Sequence, residues 1–175
     1  MDIKSTDFLL PGNFLLLGAV FFVIIFLRYL LISAGFHYVI HRIFKRQFSD
    51  RILNHDRFSN HQMIREITWS AFTSMIFAIS ACVMVIAWQE DWTQLYIDWY
   101  TFPIWYLPLS LFAALFIHDT YYYFLHRWMH LSRTAFLYVH KVHHDSIITN
   151  AMTSFSFHPL ESIFQAAIIP VIIFL

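Results

Sequence analysis

Four apolar runs separated by polar segments organise this chain. The first, Phe14–Ile32, reads FLLLGAVFFVIIFLRYLLI; as a helix rising about 1.5 Å per residue it matches a hydrocarbon core about 30 Å thick. Arg28 interrupts it, and a guanidinium there is expected to snorkel to the nearer interface or to pair inside the bundle. The second run, Trp69–Trp88, carries no charge and is bounded by tryptophans, whose indoles favour the membrane interface. The third, Trp99–Ile117, has Pro103 near its start and Pro108 further in, and Pro108 should kink or delay the helix. The fourth, Ser162–Leu175, is too short to cross comfortably.

The polar segments give this pattern a direction. Residues 1–13 are short and polar, and lack the basic start and small-residue cleavage site of a signal peptide. From His41 to Glu66 six arginines and lysines oppose only Asp50, Asp56 and Glu66, which predicts a cytoplasmic loop. Between the second and third runs Glu90, Asp91 and Asp98 have no basic counterpart, and Trp92, Tyr96, Trp99 and Tyr100 form a candidate interfacial belt. Three crossings then return His118 and everything after it to the basic side. The predicted fold is all-α: an integral, multi-pass membrane helical bundle with a cytoplasmic histidine-rich helical cap. Residues 1–66 form the first membrane helix and basic loop, and residues 67–175 the histidine-bearing region.

Composition sharpens the membrane reading. With 59% hydrophobic and only 13% charged residues, a chain of 175 residues cannot bury its apolar surface in a water-soluble globule. A formal charge of zero gives no electrostatic reason to expect nucleic acid as a partner. The single cysteine, Cys82, lies within an apolar run and reads as a small packing or lipid-facing residue.

The chemistry concentrates between His118 and His158, which hold seven of the eleven histidines. His126 and His130 are spaced H-x3-H, and His140, His143 and His144 follow as H-x2-H-H. On helices these spacings put His126 with His130, and His140 with His144, on common faces. The third imidazole of the second motif can turn toward a neighbouring ion. Imidazole is a natural ligand for iron, zinc or copper, and binding relieves the mutual repulsion of crowded, protonated rings. His118 lies two turns before His126, so it serves a second metal or is a packing residue. His158, before Pro159, is a ligand, a hydrogen-bond donor behind the ligands, or a residue at a helix start. His37 and His41 share the H-x3-H spacing but read as interfacial residues, and His55 and His61 as loop residues. Asp119, Asp145 and Glu161 are the acidic residues near the cluster. Asp119 either orients or joins a ligand, or caps a helix or pairs with Arg127. Tyr121, Tyr122 and Tyr123 read as aromatic anchors.

Taken in order, HDTYYYFLHRWMH, HKVHH and FHPLE resemble the fatty acid hydroxylase superfamily, the membrane di-iron group that contains sterol desaturases. The resemblance runs from about Asn60 to Leu175 and matches His126 and His130 to the first histidine box, and His140, His143 and His144 to the second. It implies two non-haem iron ions, with zinc an alternative occupant, and oxidation of a sterol-like or fatty-acyl C–H bond with molecular oxygen. It also implies an external electron donor of the cytochrome b5 or ferredoxin kind. The family's third box, another H-x2-H-H after a further membrane hairpin, is absent, so the chain reads as a fragment or a shortened relative. Ether-lipid cleavage on the same site, or membrane metal handling without catalysis, are the competing readings.

Overall fold

In the computed structural model the described residues are 6–48, 59–96, 98 and 100–174. His55, Trp99 and the side chain of His41 lie outside that description, as does most of the basic loop. Among the described residues the secondary structure is entirely helical.

The first apolar run forms α1, Pro11–Tyr38, and ends in a wide π turn over Val39–Ile43. Pro11 begins it where the missing amide hydrogen costs no helical bond. A short helix, α2, Lys45–Phe48, follows. The second run lies in α3, Asn60–Gln89, which starts nine residues earlier than the apolar stretch alone predicts. Ser59 caps it by accepting the Gln62 amide at 3.1 Å. Its far end closes in a Schellman turn: Trp92 N donates to Ala87 O and Asp91 N to Trp88 O, with Asp91 at φ 56°. Aspartate tolerates that left-handed backbone better than most side chains.

α1 and α3 are both long and apolar enough to cross a membrane. Leu15, Leu16, Ile24 and Leu31 of α1 stand exposed, a surface suited to hydrocarbon rather than water. Arg28 is also exposed on α1. Gly18 lets α1 approach α3 closely, since a Cβ there would already touch Cys82 Sγ at 3.7 Å. Cys82 is accordingly buried packing, not a lipid-facing residue.

The third run yields α4, Tyr106–Leu131. Pro108 falls in its first turn, where the amide it lacks would have had no helical partner, so it delays the helix without kinking it. The apolar part of α4, residues 106–117, covers only about 18 Å, after which the helix runs on into the histidines. A turn at Ser132 leads into α5, Arg133–Ala135, a π turn over Phe136–His140, and α6, Lys141–His144. A 3-10 turn at Ala151–Phe155 precedes α7, Pro159–Ala166, and α8, Ile168–Phe174. The break between α7 and α8 follows from Pro170, which can neither donate to Ala166 O nor avoid crowding it.

Contacts between elements set their directions. Gln89 Nε2 donates to Thr6 O at one end of the α1–α3 pair. At the other end Tyr29 Oη and Ser33 Oγ donate to the carbonyls of Met152 and Ala151. α7 and α8 run alongside α3, with Thr73 Oγ1 2.9 Å from Ser162 Oγ and Gln94 N donating to Ile173 O. Four helical columns therefore alternate in direction. The histidine helix and the 145–158 segment sit at the end where α1 and α4 finish and α3 begins. Arg65 of α3 donates to Asp145 O there at 2.8 Å, so the basic side of the chain and the histidines share one end.

Candidate metal centre

α4 projects His126 and His130 from adjacent turns, their ring centroids 4.6 Å apart. Ser132 caps the next helix by accepting Ala135 N, which reverses the chain and brings His140 and His144 back over α4. The π turn at Phe136–His140 admits an extra residue, and His140, at its end, points inward with 1% of its surface exposed. One ligand nitrogen from each of His126, His130 and His140 falls within 4.8 Å of the others. His144 joins them: its Nε2 lies 3.2 Å from His130 Nε2 and 3.1 Å from His140 Nε2. Nitrogens about 2.1 Å from one ion stand about 3.0–3.4 Å apart at octahedral or tetrahedral angles, so these separations suit shared coordination. His126, His130 and His144 are exposed while His140 is buried, and the group is open on one side.

His143 takes a different direction. Its ring lies 5.1 Å from Phe157, and its buried Nδ1 has no hydrogen-bond partner. His118 stays apart on α4, with Nδ1 3.0 Å from Asp119 Oδ1 and its ring stacked on Tyr122. His158 caps α7, its Nδ1 accepting Leu160 N at 3.2 Å, and its ring rests near Trp69. His37 is half-buried at the end of α1, and His61, expected in a loop, is exposed in the first turn of α3.

Of the acidic residues, Glu161 reaches the group. Its Oε1 is 2.9 Å from His140 Nδ1, with 1% of each side chain exposed. Asp119 orients His118 and does not pair with Arg127, which donates to Tyr123 Oη instead. Asp145 pairs with Lys141 at 2.7 Å. The tyrosines do more than anchor: Tyr121 Oη donates to Phe164 O at 2.6 Å, tying α4 to the helix that carries Glu161. Two residues not anticipated from the sequence complete the surroundings. Gln165, one turn beyond Glu161, donates to Glu161 Oε1, and Phe136 lies against His130 and His144. The i, i+4 spacing of Glu161 and Gln165 was the available signal for the first; nothing in the spacing marked Phe136.

Burial sets the electrostatics. It lowers His140 to about 4, with the neighbouring His130 acting in the same direction. Burial, then the charge of the other rings, also lowers His126 and His144; it lowers His143 too, where Glu161 pulls the other way. Burial raises Glu161 to about 8 against the opposing influence of His143 and Gln165. At neutral pH the imidazoles of His126, His140, His143 and His144 are therefore uncharged, the form in which a ring nitrogen can bind metal.

The comparisons converge on the same stretch. The family model described as Fatty acid hydroxylase matches residues 111–175, which include every histidine of the centre and Glu161. Methylsterol monooxygenase 1 of Danio rerio is 42% identical over 71 residues, 40% of this chain and 24% of that protein. The Delta(7)-sterol 5(6)-desaturase of Candida albicans is 27% identical over 125 residues, 68% of this chain and 31% of the relative. That of Candida glabrata is 29% identical over 170 residues, 93% of this chain and 44% of the relative. The chain thus spans less than half the length of each of these relatives. No solved structure matches it. The part of the chain that holds the histidines, residues 111–175, is thus similar to the fatty acid hydroxylase family.

Proposed function

We propose that this protein is a membrane-bound non-haem iron oxidoreductase that hydroxylates or desaturates a sterol-like or fatty-acyl lipid. The observation that carries the reading is the convergence of His126, His130, His140 and His144 next to an apolar groove on the same helix. Phe112, Phe116, Asp119, Tyr123, His126 and His130 recur along α4 at spacings of four and three residues and so share one stripe. A groove of about 510 Å³ lies over the first four of these, walled also by Leu115 and Phe124. An elongated apolar molecule lying in it has its far end directed toward the imidazoles.

The donor set fits iron. Neutral nitrogens with an open side leave positions for oxygen, which a closed four-ligand zinc site lacks. Iron held there supplies the oxygen activation that an unactivated C–H bond demands. The chain's own side chains bind and orient: four imidazoles hold the ion, Phe136 shields one side, and the α4 stripe aligns the lipid. One ion is accounted for by these four rings. His143, turned away with a buried free nitrogen, is the chain's contribution toward a second ion in the di-iron reading. An external donor of the cytochrome b5 or ferredoxin kind supplies electrons that reduce oxygen, with water as co-product. Membrane embedding through α1 and α3, with the histidine end at the cytoplasmic face beside the basic segment, completes the reading.

Membranes containing the protein, supplied with iron, reductase and isotope-labelled sterol or acyl lipid, test it. An oxygenated or desaturated product that depends on His130 supports the assignment. Absence of oxidised product from both lipid classes, with iron bound, contradicts it. The labelled sterol arm follows from the sterol-oxidising names of the relatives.

A further inference from the structure

We propose that Glu161 is a positioning residue for the metal centre, its Oε1 accepting the Nδ1 proton of His140 so that Nε2 faces the space shared with His130 and His144. The inference rests on the metal-binding reading above and deepens it.

The geometry leaves His140 little choice of orientation. Its Nδ1 is 2.9 Å from Glu161 Oε1, and its Nε2 is 3.1 Å from His144 Nε2. With the proton on Nδ1 the ring donates to Glu161 Oε1 and turns a lone pair toward its neighbours, the tautomer that metal binding needs. With the proton on Nε2 it would point at another imidazole nitrogen and block the site.

Glu161 is itself firmly placed. Pro159 begins α7, His158 caps it, and Tyr121 and Thr73 fasten it from α4 and α3. Both donors found for Glu161, His140 and Gln165, converge on Oε1, whereas the buried Oε2 has no partner. Among the described residues the other fully buried carboxyl group, Glu66, behaves differently. Glu66 has both oxygens satisfied, by Gln62 and Thr153 on one and Asn150 on the other. A carboxylate retained only for packing is expected to resemble Glu66, because an unpaired buried oxygen costs stability without return. Glu161 is instead aimed at one imidazole of the cluster.

Titrating the purified chain in lipid nanodiscs with Co2+ alone tests the assignment, reading the visible absorption of the bound ion. We expect Glu161→Gln to weaken binding about tenfold and Glu161→Leu about a hundredfold, with band positions retained. In a His140→Ala background Glu161→Gln should have no further effect, a coupling that a merely structural role does not produce. If Glu161→Leu does not fold, Glu161→Gln and the coupling carry the test. Wild-type affinity in Glu161→Gln, or an equal loss with and without His140, overturns the positioning role alone. Shifted bands indicating a lost ligand also overturn it, by making Glu161 a direct ligand. A wild-type chain that binds no Co2+ overturns this inference together with the functional reading.

Discussion

The Glu66 carboxylate of α3 accepts the Asn150 side-chain amide at 2.9 Å across 84 residues of chain. Gln62 and Thr153 donate to its other oxygen, and Gln62 also reaches Ile148 O. Asn150 in turn caps the Ala151–Phe155 turn, onto which Tyr29 and Ser33 of α1 bond. This one buried carboxylate therefore joins α1, α3 and the segment between the last clustered histidine and α7. Glu66→Ala leaves several buried donors without an acceptor and should destabilise the fold by about 3 kcal/mol. Denaturant unfolding in detergent, followed by helical circular dichroism, checks this.

Substitutions should separate the histidines that share the centre from those that do not. His130→Ala and His144→Ala each remove a nitrogen at 3.1–3.2 Å spacing and should abolish stoichiometric metal retention. His118→Ala should leave metal content unchanged, since its nitrogen faces Asp119. His158→Ala should also retain metal while costing about 1 kcal/mol as a lost helix cap. Elemental analysis after purification and thermal unfolding together distinguish these outcomes.

Much of this arrangement was legible in the sequence. The H-x3-H and H-x2-H-H spacings grouped His126, His130, His140, His143 and His144; the structure brings four of these rings together, as i, i+4 pairing on a helix leads one to expect, and turns His143 toward Phe157. The apolar runs located α1, most of α3 and the first half of α4, because a long apolar run can satisfy its backbone in a membrane only as a helix. What spacing does not encode is the π turn that delivers His140 inward, or the different heading of His143. Glu66 read as one more charge of a basic loop, because its partners Asn150 and Thr153 are distant in sequence. The S-x-x-Q pattern of Ser59 and Gln62 was the local sign that α3 begins before its apolar stretch. His158 has the same chemistry as a ligand, and only its place at the start of α7 makes it a cap.

Acid should act on the metal-free fold in a defined sense. His140 falls from 6.5 to about 4 on folding, so its contribution to stability is present above about pH 6.5 and is lost toward pH 4. Lowered His126, His143 and His144 act with it. Glu161 rises from 4.5 to about 8, so its contribution is present below about pH 4.5 and is lost as the pH climbs to about 8. The metal-free protein should be most stable near pH 6–7, where the two trends meet. Glu161→Gln should remove the decline toward about pH 8 and steepen the rise between about pH 4.5 and 6.5, as measured by unfolding midpoints across pH.

The α4 groove predicts a defect in substrate handling without a defect in metal. Phe112→Ala with Phe116→Ala removes two aromatic walls and should lower kcat/KM for the lipid roughly tenfold, from about 1–2 kcal/mol of lost apolar contact. Iron content should match wild type. Equal turnover by the double variant means the lipid approaches elsewhere.

X-ray absorption of the iron-loaded chain probes the convergence of four imidazoles on one ion most directly. The account predicts about four nitrogens near 2.1 Å with imidazole multiple scattering, and a thinner shell or no retained iron in His130→Ala. A wild-type spectrum dominated by oxygen ligands, or one unchanged by loss of His130, contradicts it.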